Sequence, residues 1–247
     1  MAKISLIGAG SVVFARRLLQ DIVCVPELSD ATVSLMDTDP ERLALMSKFA
    51  NKLVRDTGTN IKVETTPDRR EALDSSDYVL TTIRVGDSFE RDIAIPLKYG
   101  VDQSVGDTVG PGGVFKALRT APVLIDICED IEDVAPNATL LNYTNPMAIT
   151  CWAIAESTDV PTIGLCHSVQ HTTAELADYI GVSEDRVKGW VSGINHLAWF
   201  LRFEVDGQDA YPQLFEAMEN PEIFSQDTVR FEVMKQFGYF VTESTRH

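Results

Sequence analysis

Residues 3–10 read Lys-Ile-Ser-Leu-Ile-Gly-Ala-Gly, and Ser11 follows. Ile4 to Ile7 is a short apolar run that stops at Gly8, the pattern of a buried parallel strand. Residues 11–25 then alternate apolar and basic positions at helical spacing. A glycine pair between a strand and a helix permits a tight turn and lets a pyrophosphate approach the backbone at a helix N-terminus. The third glycine usual in such loops would stand at 13, where this chain has Val13. A second strand-like run, Thr32 to Met36, ends in Asp37, whose carboxylate can take an adenosine ribose 2′-hydroxyl. Gly8, Gly10, Ser11 and Asp37 are therefore candidate dinucleotide-binding residues, and the acid at 37 favours NAD over NADP. A plain strand-turn-helix with a convenient glycine is the competing reading.

Outward from that stretch the alternation continues. Pro40 suits the first turn of a helix reaching about Asp56. Tyr78–Ile83, Ala138–Leu141 and Thr162–Leu165 read as strands, and residues 114–131 as an amphipathic helix. Strands alternating with helices predict an α/β fold with a doubly wound, parallel, Rossmann-like sheet. After about residue 187 the pattern changes. Leu197–Val205 reads as a strand closed by the turn Asp206-Gly207, and Tyr211–Asn220 and Gln226–Phe240 read as helices. The expected organisation is a nucleotide-binding domain over 1–175, then the beginning of a second α+β domain over 176–247.

Composition narrows the function classes. The 247 residues are 45% hydrophobic, enough for a sizeable core, and carry a formal net charge of -16. Such a surface repels phosphate backbones and argues against nucleic acid as a partner. Cys24, Cys128, Cys151 and Cys166 form no CxxC pair and read as reduced thiols of a cytoplasmic protein. The N-terminus lacks the pattern of a signal peptide, and no apolar run is long enough for a membrane span, so no membrane partner is expected.

Four further segments carry polar chemistry. Gly106-Asp107-Thr108-Val109-Gly110-Pro111-Gly112-Gly113 is a glycine-rich loop before a helix, suited to close backbone approach or to plain flexibility. Asn142-Tyr143-Thr144-Asn145-Pro146 follows a strand, where open α/β sheets bind ligands, and Asn145 can both donate to and accept from sugar hydroxyls. Asn-Pro is equally an ordinary turn start. Cys166-His167-Ser168 and Gly193-Ile194-Asn195-His196 each end an apolar run. A thiolate and an imidazole brought together can bind a divalent transition ion, whereas either alone reads as a packed side chain.

The stretches ISLIGAGS, LMDTDPERL, GDTVGPGGVFKALRT, NYTNPM, GLCHSVQ, GINHLAWF and FGYFVTES, in this order, resemble glycoside hydrolase family 4, the NAD- and metal-dependent glycosidases. GLCHSVQ followed by GINHLAWF is most similar to the α-galactosidase branch, with the α-glucosidase and α-glucuronidase branches as neighbours. The resemblance implies hydrolysis of a small glycoside by oxidation at C3, loss of the C2 proton, elimination of the aglycone, addition of water and re-reduction, a departure from the usual two-carboxylate glycosidases. It implies NAD and Mn2+ (or another divalent metal) as cofactors, and a homo-oligomer at full length. It makes Cys166 and His196 the metal ligands and Asn145 and Arg84 substrate-binding residues. His167 stands where other members keep an aspartate acid, and it becomes catalytic with Asp107. Members are usually longer, and their tyrosine base follows a stretch like VTES, so the end at His247 predicts an incomplete second domain without that base. Two other readings stay open: a net oxidoreductase of the lactate/malate dehydrogenase class, and a non-catalytic NAD-binding remnant.

Overall fold

The computed structural model describes residues 1–86, 90–103 and 105–242. The chain divides into two compact units, Met1–Asp87 with Phe115–Leu165, and Ser88–Val114 with Cys166–His247. In chain order the elements begin β1 (Lys3–Ile7), α1 (Phe14–Cys24), β2 (Thr32–Met36), α2 (Pro40–Thr57), β3 (Lys62–Thr66), α3 (Arg69–Leu73) and β4 (Tyr78–Thr81). They continue with α4 (Glu90–Leu97), α5 (Gly110–Val134), β5 (Thr139–Asn142), α6 (Met147–Ser157), β6 (Thr162–Gly164) and α7 (Ser168–Tyr179). The last are β7 (Val187–Ile194), β8 (Leu197–Val205), β9 (Gln208–Asp209), α8 (Tyr211–Met218), α9 (Pro221–Gln226) and α10 (Thr228–Phe237).

The first unit is the expected Rossmann-like sheet. Its strand order is β3-β2-β1-β4-β5-β6, all parallel. The chain winds from β1 to β3, then returns past β1 to continue through β4 on the other side. The strand order switches between β1 and β4, the point at whose carboxyl ends such sheets take ligands. Helices cover both faces. Ile4, Leu6, Val33 and Leu35 pack with Leu19 of α1 and with Leu43 and Met46 of α2. Ile7, Val79 and Leu140 pack with Leu124, Ile127 and Ile131 of α5 and Ile154 of α6. Each such side chain contributes about 2 kcal/mol by leaving water. Helix α2 starts where Pro40 placed it: the Asp39 side chain accepts from the N–H groups of Glu41 and Arg42, and Gly58 at φ 70° ends the helix. Strand β3, Lys-Val-Glu-Thr-Thr, lies at the sheet edge with most of its residues exposed. An edge strand with that exposure needs no apolar run.

The second unit is built on the antiparallel sheet β7-β8-β9. Phe200 and Phe203 of β8 are fully buried against Leu176 of α7, Phe231 and Met234 of α10, and Phe240. The buried Arg230 on α10 pairs with Glu175 on α7 at 2.8 Å and with Asp227. The sequence predicts two helices after β9, and the structure has three. Pro221 opens α9 at its first turn while the Asn220 side chain accepts from Glu222 N–H at 2.9 Å, which separates α9 from α8. Gly238, at φ 81°, stops α10 at Phe237 rather than Phe240. Of FGYFVTES, the last two residues lie outside the described ones. Among the described residues no helix is long and apolar enough to cross a membrane.

Candidate functional site

In the first unit the carboxyl edge of the parallel sheet gathers the residues singled out around β1, β2, β4 and β5. Gly8 has φ 89°, and a Cβ there would lie 2.8 Å from the Thr82 carbonyl carbon and oxygen. Thr82 Oγ1 in turn donates to Gly8 O at 2.9 Å. The first glycine is thus required where β1 and the segment after β4 come together at the switch point. Gly10 N–H donates to Asp37 Oδ2 at 2.7 Å, and a Cβ on Gly10 would strike that same carboxylate. Asp37 Oδ1 accepts from Asp39 N–H at 2.8 Å. One backbone bond on each oxygen fixes the carboxylate, and each oxygen keeps a lone pair for a further donor such as a ribose hydroxyl. Ser11 bridges the loop to α1: its Oγ accepts from Phe14 N–H at 3.2 Å and its carbonyl from Ala15 N–H at 3.0 Å. Val13, the N-cap position of α1, provides no side-chain cap, and Val12 and Val13 are exposed. A turn that fixes an acid beside a helix N-terminus fits a dinucleotide.

Arg84 follows β4 as an exposed residue, and the half-buried Asn145 follows β5. What holds the second loop is Asn142, a residue not singled out from the sequence. Its side chain is fully buried at the end of β5. Asn142 Oδ1 accepts from Thr81 Oγ1 and from Thr144 N–H, both at 2.9 Å. Its Nδ2 donates to Thr150 Oγ1 at 3.1 Å and to Thr144 O at 3.3 Å. Thr144 Oγ1 accepts from Ile83 N–H at 3.2 Å, which ties the loops after β4 and β5 together. Asn142 thereby sets the backbone that carries Asn145. The available signal was its place as the last strand residue, where a buried amide must find partners.

In the second unit, Asp107, Cys166 and His196 come together although they are far apart in sequence. Cys166 precedes α7, and its sulfur accepts from Ser168 N–H at 3.5 Å. His196 is the second residue of the two-residue turn between β7 and β8, where Ile194 pairs with Leu197. It has φ 62°. A non-glycine residue there costs on the order of 1 kcal/mol, and histidine is among the residues that visit this region most readily. The turn directs the buried ring so that Nε2 lies 3.2 Å from Cys166 Sγ and Nδ1 lies 2.9 Å from Thr108 Oγ1. Thr108 Oγ1 donates to Asp107 Oδ1 at 2.9 Å. His167, half-buried at the start of α7, stacks on His171 with ring centroids 5.6 Å apart.

The glycines of residues 106–113 have a packing purpose. A Cβ on Gly112 would lie 2.3 Å from the Gly106 carbonyl oxygen, and one on Gly113 would lie 2.4 Å from that of Thr108. Gln103 clasps the loop, donating to Val109 O at 3.0 Å and accepting from Gly112 N–H at 3.1 Å. The loop is folded onto the first turn of α5, and that fold sets the position of Thr108.

Nitrogen and sulfur ligands at about 2.1 and 2.3 Å from one ion stand about 3.1–3.6 Å apart when they are neighbours in its coordination sphere. The Cys166–His196 separation of 3.2 Å fits that requirement, and soft sulfur with imidazole is a donor set for a transition ion. Among the described residues no group of three or more His, Cys, Asp and Glu side chains is arranged to hold a metal.

Comparison with known proteins shows the family and agrees with the fold. The family model described as Family 4 glycosyl hydrolase matches residues 3–182, and the model of that family's C-terminal domain matches residues 191–247. The chain is 42% identical to an α-galactosidase of Bacillus subtilis (strain 168), over 100% of this chain and 58% of that protein. It is also 42% identical to an α-galactosidase of Rhizobium meliloti (strain 1021), over 99% of this chain and 51% of that protein. The chain thus spans between half and three fifths of the length of these relatives. The 6-phospho-β-glucosidase of Thermotoga maritima, solved with manganese, NAD+ and glucose-6-phosphate, superposes with a TM-score of 0.82 at 26% identity, covering 98% of this chain and 58% of that one. A family model over most of the chain and two relatives at 42% identity show that the chain belongs to the Family 4 glycosyl hydrolases.

Proposed function

We propose that the protein hydrolyses α-galactosides with NAD and a divalent metal, Mn2+ by preference, by the C3-oxidation and elimination route that the family resemblance implies. The observation that carries the reading is the Cys166 Sγ–His196 Nε2 pair at 3.2 Å. The two α-galactosidases at 42% identity support the sugar, and the Thermotoga maritima enzyme solved with manganese and NAD+ supports the cofactors. When bound, NAD supplies a reversible hydride acceptor and the metal supplies Lewis-acid polarisation of sugar oxygens.

Several of the remaining roles fall to this chain's own residues. Gly8, Gly10 and Ser11 shape the turn that receives the pyrophosphate, and Asp37 accepts from the ribose. Asn145 and Arg84 hold sugar hydroxyls. Cys166, as a thiolate, and His196, through the Nε2 lone pair, would hold the metal. His167 protonates the leaving oxygen, and Asp107 orders the loop that faces His196. We extend the reading to a cytoplasmic protein that is a homo-oligomer at full length.

The test is hydrolysis of p-nitrophenyl α-galactoside, with NAD and Mn2+ stripped and restored singly, beside Mn2+ titration of Cys166→Ser and His196→Asn. Neither cofactor alone should support turnover. Each substitution should weaken Mn2+ binding more than about 100-fold, beyond the usual loss on removing a supporting residue. Hydrolysis that survives removal of NAD overturns the reading. Stoichiometric NADH formation from a simple 2-hydroxy acid would move the protein to the net oxidoreductases.

A further inference from the structure

We propose that Thr108 is a positioning residue that fixes the tautomer of His196 and so determines which imidazole nitrogen meets Cys166. The inference rests on the reading of Cys166 and His196 as metal ligands. A threonine hydroxyl has one proton to give. Here that proton goes to Asp107, since a carboxylate oxygen 2.9 Å away can only accept. Toward His196 the same oxygen must then act as acceptor, so the contact at 2.9 Å requires a proton on Nδ1. In the neutral ring the other nitrogen, Nε2, is left with a lone pair, and it is Nε2 that lies 3.2 Å from Cys166 Sγ. Asp107, Thr108, His196 and Cys166 thus form one directional series, in which each hydrogen bond settles the polarity of the next.

The arrangement has the logic of supporting residues in metal sites: the ring nitrogen not used for coordination donates to a fixed acceptor, which sets both tautomer and ring orientation. Thr108 is only 4% exposed, and Gly113 admits its carbonyl at a distance no other residue type would allow. The loop is therefore built to hold this hydroxyl in place. Without it, Nδ1 loses the hydroxyl oxygen that accepts from it, and the Nε2–H form, which turns a proton toward the sulfur, gains population.

The experiment is nitrogen-15 NMR of the 247-residue chain labelled at its four histidines, at a pH where they are neutral, with the His196 signals assigned by their loss in His196→Asn. The wild type is expected to show a protonated Nδ1 and a bare Nε2. Thr108→Val should show a mixture, and Thr108→Ser should restore the wild-type form. In Mn2+ titrations Thr108→Val should lose about 10- to 100-fold in affinity, and Thr108→Ser should recover most of it. An Nε2–H ring in the wild type overturns the proposal, and this arm needs no Thr108 variant to fold. A His196 spectrum unchanged in Thr108→Val overturns it as well. A wild-type chain with the expected tautomer but no Mn2+ affinity overturns the metal reading instead, and with it the purpose assigned to Thr108.

Discussion

At the carboxyl edge of the parallel sheet, candidate residues are held by the main chain. Gly8, Asp37, Arg84 and Asn145 each stand within a few positions of a strand end, and the register of β1 with β2 and β4 determines where those ends fall. Around Cys166 the holding is done by side chains. Thr108 lies on a loop before α5, Cys166 before α7 and His196 in a hairpin turn, and hydrogen bonds between side chains align them. A site made by sheet register tolerates exchange of a side chain but not of the backbone. A site made by a side-chain series fails at whichever member is removed.

Glycine substitutions should separate the two cases. Gly8→Ala adds a left-handed backbone strain to a clash with the Thr82 carbonyl and should cost about 3 kcal/mol or more, read as a lower urea midpoint. Its damage is to the fold of the first unit as a whole. Gly113→Ala meets the Thr108 carbonyl at 2.4 Å and should cost about 1–2 kcal/mol in the same measurement. Its more telling effect is on the side-chain series. Displacement of Thr108 should weaken Mn2+ binding about tenfold, by titration calorimetry. Unchanged Mn2+ affinity in a destabilised Gly113→Ala would break the contrast drawn here.

The smallest effect concerns a thiol that belongs to neither site. Cys128 on α5 is fully buried, and burial pushes its pKa up to about 12. The folded protein keeps that proton, while the unfolded chain releases it above about pH 8.5. Stability from this group is therefore complete below about pH 8.5 and declines as the pH rises toward 12. Urea midpoints between pH 9 and 11 should fall less steeply in Cys128→Ala than in the wild type. Identical slopes would show that the buried thiol does not titrate with unfolding.

Much of the first unit was legible because its central strands are buried on both faces and read as apolar runs. The edge strand β3 was not, since exposure removes the constraint that writes such a run. Strand β7 was obscured in the same way, most of its residues being exposed. That residues 88–114 group with the second unit is a matter of contacts made at long range, which no local pattern records. In the site, Cys166 and His196 stood out as types that bind metals. Thr108 and Asn142 did not, because a threonine in a glycine loop and an asparagine at a strand end are ordinary turn residues. Their importance lies in direction of hydrogen bonding, which appears only once partners are in place.

The turn that carries His196 also acts as a measure of length. With Ile194 opposite Leu197, two residues span the gap between β7 and β8, and the second of them presents the imidazole. One residue inserted there would leave both strands able to pair and the buried phenylalanines of β8 in place. It would still turn the ring away from Cys166 and Thr108. The length of the hairpin is therefore as much a part of the Cys166–His196 pair as the histidine itself.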